Sequence, residues 1–387
     1  MKAMGLVASS TTFSLGTMAA VTENQSNRDA NHDAALRSVH TSNFPDLLDQ
    51  LGITLLVTTY QAGKLVMLRS DQGVLNTHFR MFDKPMGLAA DADRIAIGTA
   101  MQVHEFHNIP AACSRLQSSR LHDACFLPRV THHTGDIDVH EMAWVQDDLV
   151  FVNTRFSCLA KRSGTYNFVP VWRPSFINQN VPDDCCHLNG MAVRDGDVRY
   201  VTALGDSNEA SGWRANKKEG GILIDVQSNE IAARGLSMPH SPRWHDGKLW
   251  LLNSGSGSFG TIDLALGRYE PMVTLPGFTR GLSFYGPLAF IGLSQVRETA
   301  VFTGIPIADL PMEQRCCGVW VVNLQTANVI AFVKFEDAVQ EIFAVEVLPG
   351  SRYPELVNED RELMGNTYEL PDTTLADDAG TGDSSPG

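Results

Sequence analysis

Three observations predict an all-β chain, a six-bladed β-propeller whose N-terminal strands close the last blade. A strand–turn–strand element recurs six times along the chain. Its openings lie roughly 40–60 residues apart, which suits four strands per blade. Further strand-like runs fall between the repeats in pairs, and helical periodicity is nearly absent.

The six elements are KPMGLAADADRIAIGT from Lys84, VHEMAWVQDDLVFVNT from Val139, HLNGMAVRDGDVRYVTALG from His187, PHSPRWHDGKLWLLNSG from Pro239, FTRGLSFYGPLAFIGLS from Phe278 and VQEIFAVEVLPG from Val339. The Gly and Asp residues that tight hairpins need stand at the first five turns, as in Asp195-Gly196-Asp197 and His245-Asp246-Gly247. Pairs such as GGILIDV with EIAARGL and CGVWVVNL with VIAFVKF complete the blades outward. The last repeat lacks outer strands, and TLLVTTYQAGKLVMLRS with VLNTHFRMF are left over at the N-terminus. Joining the two removes a free sheet edge. Only Pro45 to Leu51 and Ile109 to Leu121 read as helical, and both are short.

The ends of the chain differ from this body. Residues 1–44 read as a flexible arm and 354–387 as an acidic, disordered tail, leaving 45–353 for the propeller. The formal net charge is -14, and half of it lies after Ser351. With no basic stripe, nucleic acid is not an expected partner. No apolar run approaches the roughly 20 residues that cross a bilayer, and Ser and Thr interrupt each candidate signal-peptide core. Seven cysteines without a CxxC pair read as reduced thiols in a cytoplasmic protein.

Aligning the repeats on their turns gives two layers at the channel mouth. One is Met86, His140, Asn189, His240, Thr279 and Gln340; the next is Gly87, Glu141, Gly190, Ser241, Arg280 and Glu341. His187 precedes Asn189 by two residues and shares its face. Strand order puts Thr99, Asn153, Arg155, Asp206, Asn253 and Arg297 on the same face of the propeller. The longest insertions, from Gly205 and from Ser294, lie there too.

These residues suggest three chemistries. Imidazoles with a carboxylate suit a divalent transition metal better than calcium, with His140, His187, Asn189 and His240 as ligands. Glu141 and Glu341 then serve as ligand or acid/base; an oxygen-only set of Glu141, Asn189 and Glu341 would instead take calcium. A metal-free site would pair Arg280, as an anion clamp, with a histidine base. Adjacent strand residues point to opposite sides, so His140 and Glu141 share the axis only if the strand twists locally. Asn153, Arg155, Asn253, Arg297 and Gln340 are the expected substrate-binding residues. The segment from His122 adds His132, His133 and Arg129 as weaker candidates.

The phrases DVHEMAW, HLNGMA, MPHSPRWHDGKLWLLNSGSG and VQEIF resemble a bacterial propeller-like family of conserved hypothetical proteins, across about residues 45–350. More distantly, PRWHDGKLWLLNSG is similar to the gluconolactonase and strictosidine-synthase superfamily. That resemblance implies a six-bladed propeller with a divalent cation at the channel mouth, held by Glu141, Asn189 and Glu341; the extra histidines depart from its pattern. The combined expectation is an enzyme on a small polar or sugar-like substrate, by metal-assisted hydrolase or lyase chemistry. The alternative is a non-catalytic platform for a protein or peptide. Trp213 and Phe302 are the only clear aromatic anchors on the insertions, which favours the enzyme.

Overall fold

Each repeat folds into the inner hairpin of an antiparallel sheet. The computed structural model describes residues 37–118, 120–296, 303–336 and 338–371, and its strands form six sheets arranged as a six-bladed β-propeller. Blade 1 runs outward from Ala344–Pro349 through Ile53–Thr59 and Lys64–Asp71 to Val74–Met81. Blade 2 has Leu88–Ala90, Arg94–Gly98, Gln102–Asn108 and Ala124–His133; blade 3 has Val139–Val145, Asp148–Asn153, Cys158–Lys161 and Val169–Trp172. Blade 4 has Leu188–Arg194, Asp197–Ala203, Gly221–Asp225 and Glu230–Leu236. Blade 5 has Pro239–His245, Lys248–Asn253, Ser258–Asp263 and Arg268–Thr274. Blade 6 has Phe278–Tyr285, Leu288–Ser294, Cys317–Asn323 and Asn328–Phe335. Each inner strand touches the inner strands of the blades on either side, so the ring closes.

The closure is the expected one: Ile53 to Thr58 pairs with Pro349 back to Ala344, joining the two ends of the chain in one sheet. Middle strands such as Ile53–Thr59 are buried throughout, because each face packs on a neighbouring blade. The described body reaches beyond 45–353. Ser38–His40 adds an antiparallel edge strand to blade 6, and Pro354–Leu356 adds a parallel one to blade 2. Glu355 is buried there against His78 Nε2 at 3.0 Å and Arg80 Nη2 at 2.5 Å. Covering two outer edges explains why these polar segments take up strand structure. The remainder of the expected arm and tail lies outside the described residues.

Four blades share an irregularity that positions the site. On blade 3 the pairing changes from Val139↔Asn153 to Met142↔Phe151, and on blade 4 from Leu188↔Ala203 to Gly190↔Thr202. On blade 5 it changes from His240↔Leu252 to Arg243↔Trp250, and on blade 6 from Thr279↔Leu293 to Leu282↔Ile291. In each case the inner strand carries one extra residue, a β-bulge that twists the strand and re-aims side chains. On blades 5 and 6 the bulge includes a left-handed residue, Ser241 (φ 48°) and Gly281 (φ 83°). The bulge supplies the twist that lets His140 and Glu141 both face the channel, at different depths.

Candidate functional site

At the mouth a cavity of about 490 Å³ opens among all six blades. Four of its lining residues, Lys84, Asp138, His187 and Met238, sit just before the inner strands of blades 2 to 5. All four are left-handed, with φ of 51°, 57°, 50° and 46°. Backbone strain repeated at equivalent positions around one opening is characteristic of a functional rim.

Three imidazoles are held the same way. His140 Nδ1 lies 3.0 Å from the Asp138 carbonyl and 2.8 Å from Thr154 Oγ1, whose own proton goes to the Leu188 carbonyl at 2.6 Å. His240 Nδ1 lies 2.9 Å from the Met238 carbonyl and 3.0 Å from Ser254 Oγ. His187 Nδ1 faces both oxygens of Asp184 at 3.0 Å. Every Nδ1 is therefore a donor, which leaves a neutral ring at His140 or His240 with an Nε2 lone pair. The His140 and His187 rings stand edge to face with centroids 4.9 Å apart. Burial pushes the pKa of His140 well below that of free histidine, and Asp138 only partly opposes this. Burial does the same to His240, reinforced by the positive Arg280. Both rings are neutral at pH 7.

Arg280 supplies the charge. Its guanidinium lies 3.6 Å from the Phe343 ring centroid. Among the described residues it has no hydrogen bond or ion pair at contact distance, although Glu341, Asp138 and Glu141 act on it from further away. Lys84 Nζ bonds Asp138 at 3.2 Å and Glu341 faces the Tyr60 hydroxyl, while Arg214, a second cation of the lining, lies over the Trp213 ring at 4.4 Å. Burial and that carboxylate raise the Tyr60 pKa, so it stays a phenol. Trp213, from the insertion after blade 4's second strand, donates its indole N–H to Asp184 at 3.0 Å and packs on His187 at 4.5 Å.

Deeper in the channel Arg243 Nη2 bridges Glu141 at 2.5 Å and Glu346 at 3.0 Å, and Ser283 donates to Glu346 at 3.0 Å. Glu141, Arg243 and Glu346 come from blades 3, 5 and 1, and Ser283 from blade 6, so the ion cluster spans the axis. A second cavity, of about 330 Å³, lies beyond it and shares no lining residue with the first.

The structure thus brings together His140, His187, His240, Arg280 and Glu341. Glu141 is not with them: the bulge turns it to Arg243. Asn189 is engaged between blades, donating to the Pro239 carbonyl at 3.0 Å and accepting from Thr202 at 2.7 Å. Asn153 and Asn253 accept from the backbone N–H of Phe156 and Ser237, and Arg155 pairs with the exposed Asp136. Gln340 does not line the cavity, while Arg297 and Phe302 lie outside the described residues. His122 bonds the Tyr353 carbonyl and His132 that of Asn167, both away from the mouth. Among the described residues no three His, Cys, Asp or Glu side chains are grouped so that they could hold a metal ion. Tyr60, Lys84, Asp138 and Asp184 were missed. Lys84 and Asp138 stand two residues before Met86 and His140, so starting the repeat alignment at His187's position would have found both.

A family model described as a domain of unknown function, DUF4915, matches residues 42–357. The chain belongs to this family. No curated protein matches. Among solved structures, the nidogen/laminin complex aligns at TM-score 0.50 and 11% identity, over 77% of this chain and 99% of that one. A protein of unknown function from Bacteroides caccae aligns at 0.47 and 10%, over 76% and 98%. An inactive virginiamycin B lyase from Staphylococcus aureus, crystallised with quinupristin, aligns at 0.39 and 9%, over 78% and 100%. Identities this low speak to the fold of this DUF4915 member, not its chemistry. The more distant resemblance to gluconolactonases gains nothing beyond that fold. No helix among the described residues is long and apolar enough to cross a membrane.

Proposed function

We propose that the mouth cavity is an active site for a small anionic molecule, and that it performs lyase or hydrolase chemistry by direct proton transfer. The observation behind this reading is Arg280, a cation inside the cavity with no hydrogen-bond or ion-pair partner among the described residues, beside the neutral imidazoles of His140 and His240. Arg280 binds the substrate carboxylate. A neutral ring, His140 or His240, is the base. Among the described residues the lining offers no Ser, Thr or Cys to carry an acyl intermediate.

For an elimination the base takes the proton beside the carboxylate, and that bonding pair becomes the C=C bond. The leaving group departs with the C–X pair, and the imidazolium returns the proton to it. For a hydrolysis the same ring takes a proton from water as the water oxygen bonds the electrophilic carbon; the leaving group departs with the C–X pair and takes the proton back from the imidazolium.

The test is turnover of carboxylates bearing a β-leaving group by the full chain. His140→Gln or His240→Gln should lower kcat by roughly 10²- to 10⁴-fold, the span of general-base catalysis. Arg280→Met should raise KM as well. Turnover indifferent to all three substitutions refutes the reading. Saturable, Arg280-dependent binding without turnover of any carboxylate supports the non-catalytic platform instead.

A further inference from the structure

The lining of the mouth is divided by blade. Most of its apolar side chains, Leu204, Trp213, Met238 and Phe278, come from blades 4 to 6, where they stand beside the imidazoles of His187 and His240 and the guanidinium of Arg280; blades 1 to 3 are mainly polar, with Met86 and Phe343 as their apolar members. The apolar side is continuous with one buried cluster, which also contains Val296, Ile305 and Ile307. Trp213 comes from the insertion that begins at Gly205, and those three from the one after Ser294. The two longest insertions on this face therefore meet to build one apolar wall.

Sugar acids would need something else. They are gripped by a free aromatic face under the ring and by carboxylates that accept from its hydroxyls. Here the Phe343 ring is covered by Arg280, and Trp213 is in contact with both His187 and Arg214. The carboxylates of Asp138 and Glu341 are already bonded to Lys84 and Tyr60. The cavity also presents Leu204 and the adaptable thioethers of Met86 and Met238, beside a guanidinium with no hydrogen-bond or ion-pair partner among the described residues.

We infer that the substrate is a carboxylate with an apolar body, its charge on Arg280 and its chain against Leu204, Met238 and Phe278, rather than a sugar acid. This rests on the reading of Arg280 as an anion site. It adds the class of molecule attached to the anion.

Titration calorimetry on the full chain decides it, with 4-methylpentanoate, 3-phenylpropionate and galacturonate as probes. The two apolar carboxylates should bind at least tenfold more tightly than galacturonate. Met238→Gln should weaken them by fivefold or more and leave galacturonate unchanged, while Arg280→Gln weakens all three. Met86→Gln, on another blade, repeats the test independently, and far-ultraviolet circular dichroism verifies that each variant is folded. If galacturonate binds as tightly as the apolar acids, in an Arg280-dependent way, the inference fails and the anion site stands. If no carboxylate binding depends on Arg280, both fail.

Discussion

Glu346→Gln tests whether the ion cluster across the channel is as buried as the structure shows. Burial raises the Glu346 carboxyl from 4.5 to about 7, and the nearby Glu141 adds to this; Arg243 and the Ser283 hydrogen bond only partly compensate. An acid whose folded pKa lies above its unfolded pKa binds its proton more tightly when folded. The resulting stability is fully present below pH 4.5 and is lost as pH rises through about 7. At about 1.4 kcal/mol per pH unit, that interval corresponds to a loss of roughly 3 kcal/mol between pH 4.5 and pH 8. Glutamine keeps the shape, retains an acceptor for Ser283 and Arg243, and removes the titration. Guanidinium unfolding at half-unit steps from pH 4.5 to 8 should show the wild type losing stability across this range. The variant should have a flatter profile and overtake the wild type at pH 8. Parallel profiles for the two proteins would refute the reasoning, because Glu346 would then titrate like a solvated carboxylate.

Three further perturbations follow from the same geometry. Arg243→Met leaves Glu141 and Glu346 without their cation and should destabilise by about 3–5 kcal/mol at pH 7, with partial recovery at pH 5 as the carboxylates protonate; chemical denaturation at both pH values measures it. Gly281→Ala puts a Cβ at φ 83°, 2.6 Å from the Val345 amide nitrogen, so it should cost about 2 kcal/mol or more; its melting curve should also show weaker carboxylate protection, since the bulge aims Arg280. Asp184→Asn removes the carboxylate shared by His187 and the Trp213 indole. Losing those charged acceptors should cost roughly 1–3 kcal/mol and change Trp213 fluorescence and the His187 ring signals in NMR; unmoved His187 ring signals would mean that Asp184 does not position the ring.

The sequence by itself determined the propeller, its blade count and its closure. Hairpin turns such as Asp195-Gly196-Asp197 and the paired apolar runs are local signals, and each is written within about twenty residues. It also brought His140, His187, His240, Arg280 and Glu341 to one mouth, because topology alone assigns blade openings to a face. Only the tertiary structure decided depth and engagement. The bulges that send Glu141 down to Arg243 depend on how an inner strand packs against two neighbouring blades, and His240–Ser241 carries no sign of one. Whether Asn189 bonds the Pro239 carbonyl or a ligand is a matter of spacing between blades, about fifty residues apart in the chain. Hydrophobic patterning determines which side a strand buries. It does not determine which polar groups, once buried, find one another, and that pairing is what leaves Arg280 free.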